Sequence, residues 1–198
     1  MAMNRRFGKW RADLGAAILP AVLALLGGAY LLLLTVIAVA AHELGHYLAL
    51  RRRGGEVQAV RLELTGVSME YGGALSYGGE LSLALGGPAA SLALAALCAF
   101  FGRVSAFAPL YHLSGLSALL GAFNLLPVYP LDGGRALYSA VSHIFGLDAA
   151  DAVTRVLGGA AVLAALAGGA YLAAAARNFT LLIAAVWLAG RYVRMGRG

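Results

Sequence analysis

Ala40-Ala41-His42-Glu43-Leu44-Gly45-His46-Tyr47 closes an apolar run that begins at residue 29. In a helix, residues four apart share one face, one turn apart. His42 and His46 can therefore reach a single ion, and Glu43 can lean over that ion towards its bound water. This is the HExxH arrangement of zinc hydrolases. Zinc lowers the pKa of its bound water to near 7. A catalytic zinc takes three protein ligands and keeps one position open, so the motif asks for a third ligand elsewhere. A five-residue match can arise by chance. Three ionisable groups at membrane depth argue against chance, because each costs several kcal/mol there unless it is satisfied or functional.

Working outward, the whole chain has the character of that run. Its 198 residues are 61% hydrophobic and 12% charged, against roughly 25% charged in an ordinary soluble domain. Mean hydropathy is +0.80. A soluble domain of this size has too little interior to hide so much apolar surface. The composition excludes a soluble enzyme, a disordered chain and a secreted disulfide scaffold, since Cys98 is the only cysteine. The 27 glycines and many alanines suit close helix packing in lipid.

Apolar runs occupy residues 14–26, 29–50, 80–101, 111–126, 156–175 and 179–190. The expected fold is an all-α membrane protein of about six transmembrane helices. Gly27–Gly28 makes the first break soft, and the fourth run can resume over 133–145 beyond a break at 127–131. Thirteen of the 15 basic residues fall in alternate connections, including Arg5, Arg6, Lys9 and Arg11 before the first run and Arg51–Arg53 after the second. The positive-inside rule then puts both termini and the end of the second span in the cytoplasm. The same placement explains the net charge of +6 as a topology signal rather than a nucleic-acid footprint. The basic N-terminus followed by an apolar run reads as a retained first span, without a cleavage site. Between the second and third runs, Val60, Leu62 and Leu64 alternate with Arg61, Glu63 and Thr65, and Val67, Met69 and Tyr71 with Ser68 and Glu70. That period of two predicts a small β-ribbon over about 56–77. The chain is expected to form one domain, with its core at 29–145 and C-terminal helices over 156–194.

The third ligand is sought where another acid meets apolar sequence: Asn124-Leu125-Leu126-Pro127-Val128-Tyr129-Pro130-Leu131-Asp132-Gly133-Gly134. Two prolines break the helix and two glycines permit a tight return. Irregular backbone at membrane depth is tolerated only against protein or a wet cavity. Asp132 could simply cap the helix that follows. Beside an HExxH lacking its third ligand, an anionic ligand is the better reading. His112 and His143, near span ends, read as interfacial or structural, and Cys98 as inert packing.

HELGH with NLLPVYPLDGG resembles the site-2 protease family of intramembrane zinc metalloproteases. Without an inserted PDZ or an appended CBS domain, the chain is similar to the compact stage IV sporulation protease branch. The resemblance covers roughly residues 14–145. It implies one zinc per chain held by His42, His46 and Asp132, with Glu43 as general base on the zinc-bound water. It implies a substrate or oxyanion contact for Asn124. Family members often carry Asn at the place of Ser91, so Ser91 is the candidate for a second substrate-binding group. The ribbon is expected to hold an extended substrate strand. The implied partners are the lipid bilayer, a transmembrane or membrane-associated protein substrate cut near the cytoplasmic face, and an unidentified inhibitory membrane partner. The implied location is a bacterial cytoplasmic membrane. Two other readings compete: a catalytically silent regulator that binds membrane segments, and a metal transporter. Glu43 speaks against the first, since a binder needs no base. The missing internal repeat speaks against the second.

Overall fold

The computed structural model describes residues 9–12, 18–63, 66–72 and 75–195. Among the described residues, nine elements follow one another: β1 (Lys9–Ala12), α1 (Ile18–Arg52), β2 (Glu56–Glu63), β3 (Gly66–Gly72), α2 (Tyr77–Ser105), α3 (Ala108–Asn124), α4 (Asp132–Phe145), α5 (Leu147–Ala176) and α6 (Thr180–Met195). Among the described residues, three helical stretches are long and apolar enough to cross a membrane: Gly28–Arg52, Tyr77–Ser105 and Leu147–Ala176. Many large apolar side chains point outward, among them Leu119, Leu163 and Ile183. Lipid is the solvent that suits them, and the chain is an integral membrane protein.

Each expected apolar run lies on a helix, with different bounds. The first two runs are joined in α1, which breaks at Gly28, where φ is 65° and ψ is −171°. Only glycine adopts that backbone without strain. Residues 14–17 of the first run lie outside the described residues. Beyond the break, helix resumes as expected, as the 14-residue α4 over Asp132–Phe145. The fifth begins nine residues early, at Leu147. Its opening turns carry Asp148, Asp151 and Arg155, which lower the apolar average, while the two acids suit the positive end of the helix dipole. At 17 and 16 residues, α3 and α6 reach only about 24–26 Å, against a hydrocarbon core of about 30 Å.

The described residues fall into two compact units. The first is drawn from Met1–Leu75 and Gly86–Gly121, the second from Ser76–Leu85 and Ala122–Gly198. In the first unit, the expected ribbon is an antiparallel pair of β2 and β3, with Val60 opposite Met69 and Leu62 opposite Val67. β1 lies parallel against the other edge of β2, so β2 is the middle strand. α1 stops just before the sheet: Gly54, at φ 75°, lets the amides of Gly54 and Gly55 turn back onto the carbonyls of Arg51 and Leu50. The unit's core joins Leu34 and Ala38 of α1, Cys98 of α2 and Leu113 of α3. In the second unit, Val128 and Leu131 are buried with Val162 of α5 and Leu188 of α6. The proline-broken loop is thus held from beneath by the C-terminal helices.

Candidate metal centre

His42 and His46 lie one turn apart on α1 and are both buried. Their Nε2 atoms are 3.1 Å apart and their rings stand nearly perpendicular, at 80°. Two zinc–nitrogen bonds of about 2.0–2.1 Å at a tetrahedral angle put the nitrogens about 3.3 Å apart. The pair therefore converges as two ligands of one tetrahedral ion would.

α2 leaves room for this convergence. A Cβ at Gly87 would overlap His46 Nε2 and lie 2.7 Å from His42 Nε2. The helix backbones meet through small residues: a Cβ at Gly45 would collide with the Gly86 carbonyl, and one at Gly86 would lie 2.6 Å from the Gly45 carbonyl oxygen and 2.8 Å from the Ala49 Cβ. Glycines at 45, 86 and 87 allow this approach, as small residues do at membrane helix interfaces. No motif in the sequence assigns these glycines a role in the site. Their signal was the Gly86–Gly87 pair within a helical run, one turn before Ser91. Pro88 stands inside an unbroken α2 and is fully buried. Ser91 is fully buried too, with its Oγ 2.9 Å from His42 Nδ1. Glu43 follows His42 and is half-buried.

In the second unit, the chain turns at 123–131 through short backbone bonds. The Leu126 amide donates to the Phe123 carbonyl, the Val128 amide to Leu126 and the Leu131 amide to Val128. Asn124 ends α3, half-buried. Asp132 is the first residue of α4 and is buried. The cap position belongs to Leu131, which offers no side-chain bond, so Asp132 is not the helix's N-cap. The tight return at the two glycines has a steric basis. A Cβ at Gly133 would overlap the Leu125 carbonyl, and one at Gly134 would collide with the backbone of Val128 and Tyr129. Arg135 reaches Glu80 at 3.5 Å, a half-exposed pair of modest worth.

Among the described residues, His42, His46 and Asp132 are a donor set that could hold a metal ion, one ligand atom from each. Two neutral imidazoles and a carboxylate match the three protein ligands of a catalytic zinc site. His112 and His143 stand apart from this set. His112 Nδ1 is 2.6 Å from the Tyr30 hydroxyl, and the His143 ring is 6.2 Å from that of Tyr77.

Comparison with known proteins agrees with this chemistry. Residues 102–167 match the sequence profile of peptidase family M50. The chain is 34% identical over 124 residues to zinc metalloprotease MJ0392 of Methanocaldococcus jannaschii, covering 60% of this chain and 36% of that protein. It is 32% identical over 181 residues to Rip3 of Mycobacterium tuberculosis, covering 82% and 42%. The chain thus spans less than half the length of these curated relatives. The solved site-2 protease from Methanocaldococcus jannaschii has a similar fold, with a TM-score of 0.67 at 23% identity over 94% of this chain and 90% of that one.

Proposed function

Because the chain belongs to peptidase family M50, the site-2 protease family, we propose that it is a membrane zinc endopeptidase. Its substrate is a transmembrane or membrane-associated protein segment, cut near the cytoplasmic face. The observation that carries this reading is the buried, converging pair of Nε2 atoms with Gly87 leaving space beside it. The 3.1 Å separation also suits a hydrogen bond between the rings; what favours a shared ion is that Gly87 keeps a side chain off both Nε2 atoms.

His42, His46 and Asp132 would hold the zinc. Bound there, zinc supplies a Lewis acid for the scissile carbonyl and lowers the pKa of water to near 7. Glu43 takes the proton from the attacking water and passes it to the leaving amine. Asn124, at the end of α3, orients the substrate or donates to the developing oxyanion. A substrate helix hides its amides in internal bonds, so it must unwind before it is cut. Pairing as an extra strand holds an unwound segment by its backbone. With β2 in the middle of the sheet, the strand adds at an edge, β1 or β3. Arg51–Arg53 at the end of α1 support a cytoplasmic location for this end of the helix, and the alternation of basic connections along the chain supports cytoplasmic termini and an even number of spans, six in this proposal, in a bacterial cytoplasmic membrane.

The test is cleavage of a membrane-anchored reporter by purified enzyme in detergent or vesicles. Wild type should cut and Glu43→Gln should not, with zinc retained in both. Equal cleavage by the two would remove Glu43 from the mechanism.

A further inference from the structure

Ser91 was expected to touch substrate, but it has no surface to offer one: its exposure is 0%. On one side its Oγ is 2.9 Å from His42 Nδ1. On the other side it is walled in by α3, where a Cβ at Gly121 would come within 3.1 Å of the Ser91 Cβ. It lies one helical turn after Gly87, so one face of α2 presents a gap to the two Nε2 atoms and a hydroxyl to the back of His42.

We propose that Ser91 is a positioning residue for the metal centre, acting through His42. A neutral imidazole carries one N–H, on either nitrogen. Nε2 can ligate a metal only when the hydrogen is on Nδ1, and the Ser91 Oγ is the acceptor that receives it there. Ser91 therefore selects the ligating tautomer and fixes the ring's rotation, so that the lone pair of Nε2 points to the place it shares with His46 Nε2. The proposal rests on the reading of His42 as a metal ligand. Losing such an outer partner costs about 10–100-fold in metal affinity.

Ser117 provides the control. It is also fully buried, on α3, and its Oγ has no hydrogen-bond partner. Ser91→Ala and Ser117→Ala each delete one oxygen from a fully buried serine, so Ser117→Ala controls for the loss of packing, and thermal stability measured in both variants separates a general loss of fold from a change at the metal centre. Zinc affinity is measured by chelator competition in detergent-purified full chains, and the visible spectrum of the cobalt-substituted proteins is recorded. Ser91→Ala should bind zinc about 10–100-fold more weakly and show a shifted cobalt spectrum, while Ser117→Ala matches wild type in both. Wild-type affinity and spectrum in Ser91→Ala would overturn the proposal and leave the zinc site standing. Equal losses in the two variants would also overturn it, assigning the effect to packing. A folded wild type that takes up neither metal would overturn the underlying reading of His42.

Discussion

Glu43 and Gly87 sit beside the same histidine pair but make different demands. In the proposed mechanism Glu43 is the base, so Glu43→Gln, which keeps shape and loses basicity, should lower kcat by about 10²–10⁴-fold, the usual worth of general acid–base catalysis, and leave zinc content unchanged. Gly87 carries space. Gly87→Ala puts a methyl where the two Nε2 atoms converge, so it should lower zinc content sharply with helix content unchanged, as measured by elemental analysis beside circular dichroism. Wild-type zinc in that variant would mean that the imidazoles do not share an ion at this place. The histidine pair itself was legible in the sequence because i, i+4 spacing is a property of one helix. Gly87 and the Ser91–His42 bond were not, because they depend on which face of α2 meets α1. A sequence names neighbours along a helix, whereas neighbours across a helix pair are set by packing.

The loop from Asn124 to Gly134 shows the same division at the scale of an element. Two prolines and two glycines announced the break, and the break is there. What holds it was not announced. Val128 is fully buried in a cluster with Val162 and Leu188, and a Cβ at Gly158 of α5 would come within 3.2 Å of the Pro127 carbonyl oxygen. The C-terminal helices, which the family resemblance matched only in kind, form the seat of the Asp132 loop. Gly134→Ala would collide with backbone at Val128 and Tyr129, which cannot move aside as a flexible side chain could. It should displace the loop and lower zinc affinity, by chelator competition, more than Gly190→Ala on α6, where a Cβ meets nothing within 4 Å. Equal affinities in the two variants would detach the loop's shape from metal binding. The ribbon was legible from its period of two, but not the parallel β1 strand beside it. Four residues, Lys9-Trp10-Arg11-Ala12, carry no alternation long enough to read.

Over the whole molecule, composition was enough to exclude a soluble protein, and every apolar run lies on a helix. The number of crossings is a harder quantity. Three stretches pass on length and composition, while α3 and α6 are shorter than a straight crossing needs and require neighbours or a thinned bilayer. The six-span proposal carries a topological consequence. Cysteines introduced at residues 3 and 197, with Cys98 replaced, should both react with a permeant maleimide and resist an impermeant one added outside intact cells. Labelling of one end from outside would require an odd number of crossings.

If His42, His46 and Asp132 hold one zinc, as proposed, elemental analysis detects it without any substrate. The measurement is zinc per chain in detergent-purified wild type and Asp132→Ala, after zinc supplementation and removal of loosely bound metal. About one zinc is expected per wild-type chain, as a single three-ligand site requires, and far less in the variant. A folded wild type without zinc would contradict the metalloprotease reading and favour a silent binder of membrane segments. Full zinc in Asp132→Ala would contradict the assignment of the third ligand.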